Sequence, residues 1–278
     1  MTATRLPPAV AGVPEIFTSE LGRSGPRIVL LHGLFGQGRN WTGVAKALST
    51  DYRITLVDLP DHGRSAWTEH FSYVTIADAL ADLLAGPTPG AAPSDPVHLV
   101  GHSMGGKVAM TVALRHPGLV ASLVVVDVAP VDYQRMGSFS RYVAGMRGLD
   151  LAAIPDRATA DAGLAAAVPD PTVRSFLLQN LRRQADPPGW RWQLNLDLLG
   201  DELAEVGGWP ELDVLPYPGP VLWLAGADSD YITATYAPAM RRLFPRVQLV
   251  TVKNSGHWLH TEQPEIFVAA IRRFVHPH

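Results

Sequence analysis

The sequence predicts an α/β protein: a mostly parallel central sheet, helices on both of its faces, and an inserted helical cap. Three observations carry that prediction. Short apolar runs of strand length alternate with segments of helical spacing toward both ends of the chain, as parallel strands buried on both faces require. Between about Val131 and Gly208 the alternation stops, and helical pieces follow one another, separated by Pro155, Pro169 and Pro187-Pro188. At Val97 to Gly106 an apolar strand runs straight into Gly-His-Ser-Met-Gly-Gly, the pattern of a sharp strand-to-helix turn. The expected division is a core of residues 1–132 and 206–278, with 133–205 as the cap.

In chain order, Glu15 to Leu21 reads as an edge strand, Gly22 to Pro26 as a hairpin turn, and Arg27 to Leu31 as a short buried strand. His-Gly-Leu-Phe-Gly follows at 32 to 36, a loop whose glycines let backbone N–H groups approach a ligand. Trp41 to Leu48 has helical spacing and Tyr52 to Asp58 is again an apolar strand. In the next loop, Pro60, Asp61 and Gly63 are the residues that tight turns select, so Asp61, His62 and Arg64 read as turn chemistry. Tyr73 to Ala85 is a helix ended by Gly86-Pro87, and Gly86 to Pro96 is a surface connection. After the sharp turn come a helix from Lys107 to about Arg115, stopped at His116-Pro117, and a strand from Ala121 to Val126. The middle region offers helical pieces at Ser138 to Arg147, Arg157 to Ala167, Pro171 to Gln184 and Trp192 to Leu199, and no strand. The sheet resumes with strands at Val221 to Ala225 and Val247 to Val252, with helices expected at Thr233 to Phe244 and Pro264 to Val275.

Ligands of such sheets sit beyond the carboxyl ends of the strands, and His32, Asp58, Ser103 and Asp127 all fall there. A Cβ at Gly101 or Gly105 would collide with neighbouring backbone, which leaves Ser103 strained with its hydroxyl presented outward. The helix that follows points its N–H groups and positive dipole end at Ser103, where negative charge develops in acyl transfer. The candidate oxyanion donors are the N–H of Leu34 or Phe35 together with that of Met104. Gly256-His257 lies just after the last strand, where an imidazole can swing over the sheet. His32 reads as a brace for its loop rather than an acid or base. Candidate pocket residues are His32, His102, Phe139, Tyr142, Met146, Trp192, Tyr231 and Trp258, with Phe176, Leu177 and Trp190 as further apolar residues of the cap.

Composition narrows the class. With 47% hydrophobic and 18% charged residues the chain is an ordinary globular protein, and no apolar run is long enough to span a membrane. A formal charge of −3 offers no broad basic surface, so nucleic acid is not an expected partner. The absence of cysteine removes disulfides, thiolate metal sites and a thiol nucleophile together. The opening Met-Thr-Ala-Thr-Arg-Leu-Pro-Pro lacks the apolar core of a signal peptide, so a cytoplasmic location is the expectation.

His-Gly-Leu-Phe-Gly, Asp-Leu-Pro-Asp-His-Gly-Arg-Ser, Gly-His-Ser-Met-Gly-Gly-Lys and Ser-Gly-His-Trp stand in the order found in the α/β-hydrolase superfamily, which the whole chain resembles. Val-Val-Asp-Val-Ala-Pro at 125 to 130, Arg174-Ser-Phe-Leu-Leu, Trp192-Gln-Leu-Asn195 and Gly226-Ala-Asp-Ser-Asp-Tyr231 resemble the YbfF-type esterase branch more narrowly. The resemblance implies Ser103 as nucleophile and His257 as general base, with no metal or organic cofactor. Chemistry agrees: a serine is inert near neutral pH unless an imidazole takes its proton, and that imidazole needs a carboxylate to fix its tautomer. The usual superfamily slot for the acid holds Ser229, flanked by Asp228 and Asp230, whereas the branch resemblance implies Asp127. The function implied is hydrolysis of a small carboxylic ester or thioester. A carbon-carbon bond hydrolase, lactonase or cofactor-free haloperoxidase can use the same three groups, and a non-catalytic small-molecule binder can keep the fold.

Overall fold

The central strands have both faces covered, which is why their apolar runs are unbroken. The computed structural model describes residues 13–86, 95–133, 136–185 and 188–275. Before the cap region lie β1 (Phe17–Leu21), β2 (Arg27–Leu31), α1 (Thr42–Leu48), β3 (Arg53–Asp58), α2 (Tyr73–Ala85), β4 (Val97–His102), α3 (Met104–Arg115) and β5 (Val120–Val126). Between β5 and the next sheet strand come α4 (Gly137–Arg147), α5 (Arg157–Leu164), α6 (Pro171–Leu178), β6 (Leu181–Ala185), β7 (Pro188–Trp192), α7 (Leu196–Asp201) and α8 (Leu203–Gly207). The chain then returns to β8 (Val221–Gly226), α9 (Ala237–Leu243), β9 (Val247–Val252), α10 (Leu259–Glu262) and α11 (Pro264–Val275).

Seven strands stand in the order β1-β3-β2-β4-β5-β8-β9, all parallel except β1, which runs antiparallel to β3. In β2, Val29 and Leu31 join the core on one face while Ile28 and Leu30 join the core on the other, and all four are fully buried. Each such side chain contributes roughly 1.5–3 kcal/mol, so a one-residue slip in register would exchange the two sets at no gain but break every ladder bond. The first face carries α2, α3 and the segment between β5 and β8; the second carries α1 and α11. Among the described residues no helix is long and apolar enough to cross a membrane.

Several expectations need correction. Gly22 to Pro26 does not turn a hairpin, because β1 pairs with β3 and not with β2; the connection carries Gly22 and Gly25 at φ of 78° and 85°. The helix after the sharp turn starts at Met104, not Lys107, and the helix expected at Thr233 to Phe244 divides into a short 3-10 turn at Ala234–Tyr236 and α9. Most of the connection expected at Gly86 to Pro96 lies outside the described residues. Between β5 and β8 there is a hairpin where no strand was expected: β6 and β7 pair antiparallel, with Leu181 opposite Trp192. Its sequence is arginine-rich and shows little apolar alternation, because it is held by Arg157 and Arg183 over the Trp190 ring and by the Trp190 indole N–H donating to the Ile154 carbonyl at 3.0 Å. The helix expected from Pro171 to Gln184 therefore stops at Leu178, and the one expected from Trp192 begins only at Leu196.

The turn at Asp61 ties this segment to the sheet. Its carboxylate accepts from Thr68 N–H and Oγ1 and from Asn195 Nδ2, and its carbonyl accepts from Asn195 N–H at 2.9 Å. Asp61 is fully buried, so its turn chemistry serves the seat of the inserted segment.

Candidate active site

Ser103 joins β4 to α3 at φ 53° and ψ −120°, a backbone conformation costly for a side-chain-bearing residue. Sterics enforce it. A Cβ on Gly101 would lie 2.2 Å from the Gly105 carbonyl oxygen, and one on Gly105 would lie 2.4 Å from that of His32. The Ser103 N–H donates to the Val126 carbonyl at 3.0 Å, and its carbonyl accepts from the N–H of Gly106 and Lys107. As the first residue of α3, Met104 has no partner within the helix for its own N–H.

In the loop that follows β2, Phe35 also adopts a positive φ of 62°. Its N–H donates to His62 Nε2 at 3.2 Å, and His62 Nδ1 meets the Pro60 carbonyl at 2.9 Å. The Phe35 N–H is therefore already engaged. His32 is the expected brace: its Nε2 accepts from the Leu59 N–H at 3.0 Å while Nδ1 meets the Gly33 carbonyl at 2.8 Å. Burial pushes His32 down to about 4 and His62 down to about 3, so both rings are neutral over the ordinary pH range.

His257 is placed differently. Its Nδ1 lies 2.8 Å from Asp127 Oδ2, and its ring stacks on Tyr231 with centroids 4.0 Å apart. Beneath it, His102 Nε2 meets the His257 carbonyl at 2.8 Å. Burial, first, and the neighbouring His260 and His257 hold His102 well below the usual imidazole range, so it acts as a neutral prop. Asp127 is fully buried just after β5 at φ 51°. Besides the imidazole it accepts from the Gly226 N–H, at 3.0 Å on Oδ1, and from the Ser229 hydroxyl on Oδ2. Three donors satisfy a carboxylate that burial would otherwise penalise. Asp228 and Asp230 are exposed, and the hydroxyl in the slot between them is turned to Asp127.

Ser103 and His257 line one cavity, partly open to solvent, with Leu34, Phe139, Tyr142, Phe176 and Trp258. His32 and His102 also reach it. Ser103 opens as well onto a smaller cavity that Met104 and Tyr231 line. Two expected pocket residues lie elsewhere: Met146 is fully buried in the core of the inserted segment, and Trp192 ends β7 half-buried, packed on that core. Helical spacing gives no means of telling which face of an inserted helix meets the cavity and which its own neighbours. Asn180 is a residue the sequence reading missed. It is fully buried between α6 and β6, with its Nδ2 donating to the Phe35 carbonyl at 2.7 Å and its Oδ1 accepting from Gln37 Nε2. A lone asparagine among arginines and leucines carries no signal of that contact.

This fold and elbow define an α/β hydrolase, and residues 28–270 match the alpha/beta hydrolase family, to which the chain belongs. It is 39% identical over 256 residues to the sn-1-specific diacylglycerol lipase ABHD11 of Mus musculus, covering 90% of this chain and 81% of that protein. Esterase YbfF of Escherichia coli (strain K12) is 29% identical over 248 residues, covering 89% of this chain and 92% of the relative. Among solved structures, one described as a marine microorganism esterase superposes with a TM-score of 0.89 at 32% identity, covering 94% of this chain and 100% of that one. The chain thus stands close to the YbfF-type esterases.

Proposed function

We propose that this protein is a carboxylic ester hydrolase in which Ser103, His257 and Asp127 act as nucleophile, general base and orienting acid. One observation carries the reading: the buried Asp127 carboxylate fixes Nδ1 of the imidazole that shares a cavity with the elbow serine. The relatives named as esterases and a lipase support ester hydrolysis. With Nδ1–H directed at Asp127, Nε2 is the nitrogen available to take the Ser103 proton as Oγ attacks the acyl carbon. Leu34 and Met104 N–H receive the negative oxygen of the tetrahedral intermediate. The imidazolium then gives its proton to the leaving alcohol or thiol, and a water activated by the same nitrogen releases the acid from Ser103. Residues 133–205 form the lid over this chemistry, and the aromatic lining of the larger cavity suits an apolar ester.

The test is labelling by a fluorophosphonate probe together with turnover of p-nitrophenyl acyl esters against vinylogous diketones. Labelling of the parent, its loss in Ser103→Ala, and turnover of the esters in preference to the diketones are expected. Preference for the diketones would assign carbon-carbon bond hydrolysis instead. A chain that is never labelled and turns over neither would be a binder built on a hydrolase fold.

A further inference from the structure

Lys107 stands one turn into α3 from Ser103 and is 2% exposed. Burial pushes Lys107 down to about 7, with Asp132 opposing; when charged, the ammonium needs an acceptor for each of its three protons, and here each has one. Nζ donates to the carbonyl of Val131 at 3.0 Å, of Gly207 at 2.7 Å and of Gly208 at 2.5 Å. These carbonyls are not neighbours in sequence. Val131 lies where the chain leaves the sheet after β5, and Gly207 and Gly208 lie where it comes back at the end of α8. The whole inserted segment hangs between those two roots. They are also tied to each other, by Tyr133 N–H donating to the Gly207 carbonyl at 2.8 Å.

The same ammonium lies 4.8 Å from the Tyr133 ring centroid and 5.7 Å from that of Tyr73. Tyr133 in turn donates its hydroxyl to the Tyr231 carbonyl at 2.6 Å, and Tyr231 stacks on His257. Lys107 therefore joins the nucleophile's helix, both roots of the lid and the ring that supports the imidazole. It also lines the smaller cavity together with Ser103, Met104, Tyr133, Gly207 and Tyr231. His257 lines the larger cavity instead, and the leaving-group oxygen must reach His257 to be protonated. With the leaving group on that side, the smaller cavity is the place left for the acyl chain, with Lys107 and Gly207 in its wall.

We propose that Lys107 is a positioning and specificity-determining residue: it clasps both roots of the lid and walls the acyl cavity, setting the length of acyl chain accepted. This rests on the ester-hydrolase reading above. The absence of cysteine provides a direct test, because the thiol of a Lys107→Cys variant is the only one in the chain and can be aminoethylated in denaturant, before refolding, to restore a lysine-like ammonium at this buried position. The parent and this variant, before and after aminoethylation, are assayed on p-nitrophenyl esters from acetate to decanoate, with folding followed by circular dichroism. The unmodified variant is expected to shift its preferred acyl chain to greater length and to raise KM for the acetate about tenfold, with aminoethylation restoring the parental profile. Lys107→Met keeps the length of the side chain but loses the charge, so it should raise KM across the series without moving the preferred length. It also serves as the comparison if Lys107→Cys does not fold. A lower melting temperature with parental KM and chain-length profile in these variants would make Lys107 a structural residue and overturn the proposal. A parent that hydrolyses no member of the series would instead overturn the ester-hydrolase reading beneath it.

Discussion

The ends of β5 and β8 come together beside His257, and in the proposed triad they exchange duties relative to the pattern usual in this superfamily. After β8 the usual acid slot holds Ser229, and after β5 the chain turns through a positive φ to present Asp127. Both side chains reach the same point, since the Ser229 hydroxyl and His257 Nδ1 bind one carboxylate oxygen. What matters to the imidazole is a carboxylate at that point in space, and either strand end can supply it. The difference teaches that a triad is defined by geometry and role, and that on the proposed reading the residue in the usual slot becomes a donor to the acid that replaces it.

The largest effect should come from Asp127→Asn, which is expected to lower kcat by about a thousandfold to ten-thousandfold with little change in fold, measured on a p-nitrophenyl ester. Activity at the parental level in this variant would end the argument for the β5 strand end. A second contrast is between an imidazole with a carboxylate and those without one. His32, His62 and His260 are buried, with burial pushing them to about 4, 3 and 3. In the unfolded chain each takes up a proton near pH 6.5 while the folded ring stays neutral, so the unfolded state binds more protons below that pH. Stability should therefore fall as the pH drops from about 6.5 toward 4, by on the order of 2 kcal/mol for each ring, read from denaturant melts. Replacing His260 by Phe should flatten part of that slope; an unchanged slope would show that His260 takes no part.

Moving the acid back is a sharper form of the comparison. The double variant Asp127→Ser, Ser229→Asp should recover at least about tenfold in kcat over Asp127→Ser alone, because Ser229 Oγ and His257 Nδ1 both bind Asp127 Oδ2, so a carboxylate at 229 starts one hydrogen bond away from the oxygen that the imidazole uses. No recovery, in a variant that folds, would mean the β8 end cannot aim a carboxylate at Nδ1. Ser229→Ala removes one of three donors to the acid and should cost about threefold to tenfold in kcat with KM unchanged. Smallest of all, Asp228→Asn and Asp230→Asn should each stay within about twofold of the parent, since both side chains are exposed.

Legibility followed the range over which each feature is encoded. The elbow was readable because its cause is local: glycines within a few residues of Ser103 leave no room for a Cβ. The parallel sheet was readable because burial on both faces gives unbroken apolar runs. The β6–β7 hairpin was not, since cation–π contacts from Arg157 and Arg183 replace the apolar alternation that marks a strand. Met146 and Trp192 were assigned to the pocket by residue type alone, and type does not say which face of an inserted element meets the cavity. Lys107 was visible in its motif, but its carbonyl partners at Gly207 and Gly208 lie 100 and 101 residues away.

By itself the sequence determined the α/β architecture, the strained serine and the loops that flank it, because each depends on sterics and patterning within a few consecutive residues. Residue types and the family resemblance brought the acid down to a few aspartates. Only the tertiary structure decided which of them meets His257, that the Phe35 N–H is already engaged, and what ties the segment between β5 and β8 to the sheet. Those outcomes depend on where segments from 24 to 130 residues apart come to rest, the longest being the separation between Asp127 and His257. No local rule carries that information.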